Sequence, residues 1–339
     1  MTYKIWIIGR GIYAFNLIRS LNNKYIINLI TTNKYDFASY SNKINKVIYI
    51  EYINEYDYIN KIKEIVKDDL IIPVGEEYIL LENYINKTGC NLNLYLLDKQ
   101  NNKYKYHNKK EFNNLLNNIG LPTLDVQEYI DNNKYILKLI YSRGGVGNLI
   151  KYGYEIKNID MNNYLIQEYI KYEKEYSVFC IVEDGNIKSI LIYEILMMFN
   201  GYSIKRKLVI NDKLVEYTNK IVKNINYTGF LGLDCLLYKN EYYIVDFNPR
   251  ITNGISFYLK DSLNIENKID KNKINKKKEI IISILNYKEI LKYNNDILYL
   301  DDIKPFIICI IVYIYKYIYY KIKKLDYNKC LIDEMILVN

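Results

Sequence analysis

The chain has 339 residues, half of them hydrophobic and a quarter charged, with a formal net charge of +8. That length and balance suit a soluble globular protein of two or three subdomains with ample core. The lysines are scattered apart from Lys268, Lys271, Lys273, Lys276, Lys277 and Lys278, which read as a solvated face, so no nucleic-acid partner is expected. Cys90, Cys180, Cys235, Cys309 and Cys330 are odd in number and far apart, and His107 is the only histidine. This argues against zinc sites and Cys/His nucleophilic chemistry, and it points to a reducing cytosol.

Residues 3–8, 26–31, 47–50 and 70–72 are short apolar runs that predict strands, with helices predicted over 13–21 and 56–66. Such alternation predicts a parallel, doubly wound sheet. The run 5–8 passes straight into Gly9-Arg10-Gly11, so no signal peptide is expected. That Gly-Arg-Gly turn matches the start of a dinucleotide fingerprint. The second strand, however, ends in Thr31-Thr32-Asn33 and not in the acid that would hold a ribose, which makes an NAD-dependent oxidoreductase the lesser reading. Residues 74–90, opening with Val74-Gly75-Glu76-Glu77, close this unit.

Further on, Asn108 is a good N-cap for a helix that stops at Gly120-Leu121-Pro122. A strand over 135–140 carries Lys138 and runs into Ser142-Arg143-Gly144-Gly145-Val146-Gly147. Three glycines in four residues let the backbone approach an anion, and a lysine on the preceding strand favours a phosphate. Gln167-Glu168-Tyr169-Ile170 and the run 173–178 are strand-like, and their acids are individually nonspecific.

Residues 229–238 and 242–247 flank a turn at 239–241 and predict a β-hairpin. Asp246 and Asn248 are two apart and share one face, and Asp234 reaches that face from the other arm. Two carboxylates and an amide oxygen make a hard oxygen site suited to Mg²⁺, with Arg250 as a fixed cation beside it. The apolar run 305–315 is uncharged but only eleven residues long, which predicts a buried helix and no membrane span.

These segments, in this order, resemble the ATP-grasp superfamily, in particular members similar to the large subunit of carbamoyl-phosphate synthase. Asp246-Phe247-Asn248-Pro249-Arg250 looks like the family's acid-x-Asn-Pro-Arg motif, with Asp where Glu is commoner. His107-Asn108-Lys109 is similar to a family His-Asp-Lys, and Leu139 stands where a proline usually follows the strand lysine. The resemblance implies an α/β protein. Its parts are a Rossmann-like domain over 1–104, a two-lobed α+β ATP-grasp domain over 105–265 and a C-terminal helical extension over 266–339.

It also implies roles for individual residues. Lys109 and Lys138 neutralise ATP phosphates, and the loop with Gly144, Gly145 and Gly147 covers them. The Gln167, Glu168, Tyr169, Ile170 segment meets adenine, and Glu175 the ribose. Asp234, Asp246 and Asn248 hold Mg²⁺ (or Mn²⁺). Arg250 and Lys138 are the catalytic candidates. The implied activity is a cytoplasmic ATP-dependent ligase that activates a small carboxylate as an acyl phosphate and joins it to an amine. The same resemblance is compatible with a homodimer, and with a catalytically silent nucleotide sensor.

Overall fold

The structure is a computed structural model in which residues 3–126, 130–142, 147–156, 159, 161–199, 201–265, 280–283, 289 and 292–323 are described. Four parallel strands open the chain: β1 (Tyr3–Ile8), β2 (Tyr25–Thr31), β3 (Ile44–Tyr49) and β4 (Leu70–Pro73), in the order β3-β2-β1-β4. Helices α1 (Gly11–Ser20) and α2 (Glu55–Val66) connect them, and α3 (Glu77–Thr88) follows β4. The alternation of apolar runs therefore gives the expected parallel sheet. Ile5, Trp6, Ile7 and Ile8 are all buried, as a strand covered on both faces requires. Asn54 caps α2 by accepting from Asp57 N–H, as short polar side chains do at helix starts.

Two short helices, α4 (Asn102–His107) and α5 (Lys109–Asn118), lead into a three-stranded sheet. The Asn108 side chain caps α5, accepting from the Lys110 and Glu111 amides, as its sequence context predicts. The small sheet has β5 (Lys134–Leu139) between β6 (Leu149–Tyr152) and β7 (Tyr164–Glu168), with the single helical turn α6 (Gly153–Ile156) beside it.

A seven-stranded sheet follows. It is built from β8 (Lys174–Glu183), β9 (Asn186–Phe199), β10 (Tyr202–Val209), β11 (Gly229–Tyr238), β12 (Glu241–Asn248), β13 (Ile280–Ile282) and β14 (Asn294–Asn295), with α7 (Asp212–Asn224) packed on it. Its order is β12-β11-β8-β9-β10-β13-β14. One core cluster runs from the parallel sheet into the seven-stranded one, joining Ile5, Phe15 and Tyr78 to Phe179, Phe230 and Phe257. The two sheets thus share apolar packing, and the cleft between them has firm walls.

The chain's last described element corrects one expectation. The apolar run 305–315 is the first half of α8 (Lys304–Lys323), a 20-residue helix. It is not a buried helix: only Pro305 and Cys309 are covered, while Ile311, Ile314, Tyr315, Ile318 and Ile322 are each at least half exposed. By length and composition α8 could cross a membrane, so the expectation of no membrane contact loses its argument from length. The Lys268 to Lys278 cluster lies outside the described residues.

Candidate active site

Lys239 and Asn240 both have positive φ, +49° and +62°, so a two-residue type I′ turn joins β11 to β12. This turn is one residue shorter than the sequence suggests. The resulting register sets Asp234 directly opposite Asp246, and Asn248 opposite Gly232. Asp234 Oδ1 accepts from Ser177 Oγ at 2.8 Å, and its Oδ2 accepts from Asn248 Nδ2 at 3.0 Å. Burial, and then the charge of Asp246, push the Asp234 carboxyl above its ordinary range.

Two cations come from other elements. Lys138 on β5 donates to Val245 O at 3.1 Å. Burial and the neighbouring Lys109 lower its pKa to about 8, against the pull of Asp246, Asp234 and Glu175. Lys109, first residue of α5, donates to Ser142 O at 2.8 Å and sits 3.5 Å from Asp246 Oδ1. The chain thus draws Asp234, Asp246, Glu175, Lys109 and Lys138 into one electrostatic group.

Arg250 sits at the junction of the two large sheets. Its Nε donates to Glu76 Oε1 at 3.0 Å, and its Nη2 to Asn248 Oδ1 at 3.3 Å. Burial alone would lower its pKa, but the Glu76 carboxylate and then that of Asp246 more than offset this and hold it protonated. A cavity of about 200 Å³ opens here, lined by Arg10, Glu76, Glu175, Asp234, Asp246 and Arg250 among others. It therefore has an acidic end at the hairpin and a guanidinium end toward the parallel sheet.

Residues 101–254 match the family model of the ATP-grasp domain. The chain carries an ATP-grasp domain. Among solved structures, the protein is similar to N5-carboxyaminoimidazole synthetase from Staphylococcus aureus complexed with ADP. The identity is 18%, over 75% of this chain and 72% of that one, with a TM-score of 0.58. It is also similar to a biotin carboxylase from Campylobacter jejuni (17% identity, 74% and 66% coverage, TM-score 0.59). In sequence, 114 residues are 25% identical to the carbamoyl phosphate synthase large chain of Lachnoclostridium phytofermentans. That match covers 31% of this chain and spans only about a tenth of the relative's length.

In the ATP-grasp domain, the proposed nucleotide contacts divide unevenly. Gly144 and Gly145 lie outside the described residues. Gly147 has φ +76°, a backbone position strained for other residues, and a Cβ there would meet Leu139 Cδ1 at 2.3 Å, so a substitution would also have to displace that leucine. Gln167 is buried and donates to Asn113 Oδ1, while Glu168 and Tyr169 are exposed and Ile170 is buried. The amides of Glu168 and Tyr169 donate to Leu124 O and Lys134 O. Glu175 accepts from Tyr172 OH at 3.0 Å, so the tyrosine braces the acid. Burial and Asp234 raise the Glu175 carboxyl.

The residues fit a hard divalent cation through the facing Asp234 and Asp246, whose mutual repulsion a cation relieves. Asn248 departs from expectation: its amide nitrogen faces Asp234, and its oxygen faces Arg250. Its oxygen joins the two aspartates only after the amide turns. Among the described residues no group of three His, Cys, Asp or Glu gathers at one metal-sized point, here or elsewhere, so the site offers two carboxylates.

Glu76, Ser177, Arg10 and Tyr13 were not singled out from the sequence as site residues. Glu76 had a usable signal, because it follows a strand at the carboxyl edge of a parallel sheet, where such folds place ligands. The dinucleotide reading of Gly9-Arg10-Gly11 is weakened by the structure. Gly11 N–H donates to Asp36 Oδ1 at 3.0 Å, so a carboxylate already occupies the spot a pyrophosphate would need. Burial raises that carboxyl to about 6, partly opposed by the Gly11 and Ala38 amides.

Proposed function

We propose that the protein is an ATP- and Mg²⁺-dependent ligase that converts a small carboxylate to an acyl phosphate and passes the acyl group to an amine. The observation that carries this reading is Arg250, held between Glu76 and Asn248 beside the facing Asp234 and Asp246. A guanidinium fork can donate in parallel to two anions, here the γ-phosphate and the incoming carboxylate. Mg²⁺ held by Asp234 and Asp246 supplies charge neutralisation at the phosphates. Lys138 and Lys109 add two buried positive charges, and the Gly147 turn lets backbone approach the same anion.

In this scheme a substrate carboxylate oxygen bonds to the γ-phosphorus, and the bridging P–O bond to ADP breaks. No protein nucleophile is needed, so the residues act by positioning and by charge. A nucleotide sensor of the same fold needs no cavity beside Arg250, whereas a ligase needs room for its acid there.

The test is trapping. With MgATP, hydroxylamine and a panel of amino and hydroxy acids, one acid is expected to give hydroxamate and ADP in equal amounts. Arg250→Lys should keep nucleotide binding but lose most turnover, about a hundredfold, because an ammonium cannot form the parallel contacts. ADP without any trapped acyl group across the panel, or a stable phosphoester, overturns the ligase reading.

A further inference from the structure

Helix α8 rests on the body along one side. Pro305 and Cys309 are buried, Phe306 and Tyr313 pack on the shared core, and the short 3₁₀ turn Phe37–Tyr40 lies against the helix. Ile307, Ile311, Ile314, Ile318 and Ile322 follow one another at steps of four, three, four and four residues. At about 100° per residue these five fall within about 80° of arc, opposite Cys309. They are 46–73% exposed, so they form one uncovered stripe of isoleucine about 22 Å long. Tyr315 and Tyr319, also exposed, flank it with their rings stacked 6.5 Å apart.

The charges on the segment indicate what such a stripe meets. From 303 to 325 the sequence holds five lysines, Lys304, Lys316, Lys321, Lys323 and Lys324, and no acid. Lys321 and Lys323 stand exposed in the last turn of α8, and Lys321 Nζ lies 5.9 Å from the centroid of the Tyr317 ring. Isoleucine favours hydrocarbon, tyrosine rings favour the headgroup level, and ammonium groups favour anionic phosphates. The three occur together on α8, in the arrangement a bilayer surface presents. We propose that α8 lies along an anionic phospholipid surface, with its isoleucine stripe in the outer hydrocarbon and Lys321 and Lys323 on the headgroups.

The helix lies along the bilayer and does not cross it. Its other side stays on the protein through Cys309 and Tyr313, and Lys316, in mid-helix, falls on that same side. A second copy of the chain is a poorer match for the stripe. Two such helices face to face bring lysine near lysine, with no acid on either to answer it. The inference is independent of the ligase reading, because α8 lends no residue to the cavity beside Arg250.

The experiment mixes the full chain with vesicles of phosphatidylcholine alone, or of phosphatidylcholine and phosphatidylglycerol at about three to one, and measures binding by flotation. The anionic vesicles should bind saturably, the neutral ones at least tenfold more weakly, and raising salt from about 0.05 to 0.5 M should weaken the anionic case. Ile318→Asp should weaken binding at least tenfold, whereas Ile318→Leu should keep it. Lys321→Gln together with Lys323→Gln should also cost about tenfold or more on anionic vesicles. All these positions are exposed, so the thermal midpoint of unfolding should move by no more than about 2 °C. No binding to anionic vesicles, or equal binding by Ile318→Asp, overturns the proposal. A concentration-dependent dimer in sedimentation velocity that Ile318→Asp dissolves, without vesicle binding, overturns it too and gives the stripe to a second copy of the chain.

Discussion

The buried Lys103–Glu82 pair offers a sharp stability test. Both side chains are fully covered, and Lys103 Nζ donates to Glu82 Oε2, to Leu96 O at 3.3 Å and to Thr228 O at 2.6 Å. All three ammonium hydrogens are thus used, and the group also lies 4.7 Å from the Tyr78 ring centroid. The pair ties α3 of the parallel sheet to the entry of β11 in the seven-stranded sheet. Lys103→Met removes the cation and leaves the buried Glu82 carboxyl with the Asp98 amide but no counter-charge. Breaking one partner of such a pair costs about 3–5 kcal/mol. Lys103→Met with Glu82→Leu removes both charges and should recover about 2–3 kcal/mol of that loss.

The pH dependence has a definite sign. Burial raises the Glu82 carboxyl to about 7 even with Lys103 beside it. An acid whose folded pKa exceeds its unfolded one contributes stability at low pH that is lost as pH rises through the folded value. Removing Lys103 takes away a lowering influence, so the deficit of Lys103→Met should be larger at pH 8 than at pH 5.5. Urea unfolding followed by near-ultraviolet circular dichroism, at both pH values, measures this. A double variant as unstable as the sum of its two single variants, or a single-variant deficit that grows on acidification, refutes the reasoning.

Two predictions concern the proposed nucleotide site. Asp246→Ala should reduce MgATP turnover by about a hundredfold or more while leaving metal-free ATP binding within a few-fold, as read by calorimetry with and without Mg²⁺. Full metal-dependent turnover in this variant removes Asp246 from the metal. Gly147→Ala places a Cβ against Leu139 at a left-handed backbone position, which should cost about 1–3 kcal/mol locally and weaken ATP binding by about tenfold. Unchanged affinity shows that this turn does not touch phosphate.

Much of this protein was legible because some patterns are local. The hairpin that sets Asp234 against Asp246 needs only two alternating runs and a short turn, and both are visible in sequence. Asn108 as a cap, and the strand–helix alternation of the first seventy residues, are local in the same way. What escaped is joined over long distances. Glu76 and Arg250 are 174 residues apart, and Lys103 is one of 47 basic residues with nothing around it to mark it as fully buried. The apolar run in α8 misled for a different reason. Hydrophobicity reports a preference for leaving water but not which surface satisfies it, and the described residues leave most of that helix uncovered.

The Glu76–Arg250 contact ties the parallel sheet to the segment that follows the β11–β12 hairpin. Arg250 follows the hairpin strand that carries Asp246, so its backbone is set by the hairpin. Its guanidinium is aimed by Glu76, which the parallel sheet supplies just beyond β4. A shift of the two sheets by one hydrogen-bond length would release the fork and turn Arg250 toward Asn248 and Ile251 O alone. The shared core from Phe15 through Phe230 and the Lys103–Glu82 pair both resist that shift. Lys103→Met should therefore weaken the aim of Arg250 as well as the fold. At a temperature where the variant remains folded, its acid-dependent turnover should fall further than its affinity for MgATP. Equal losses in both would mean that the two sheets move independently of the site.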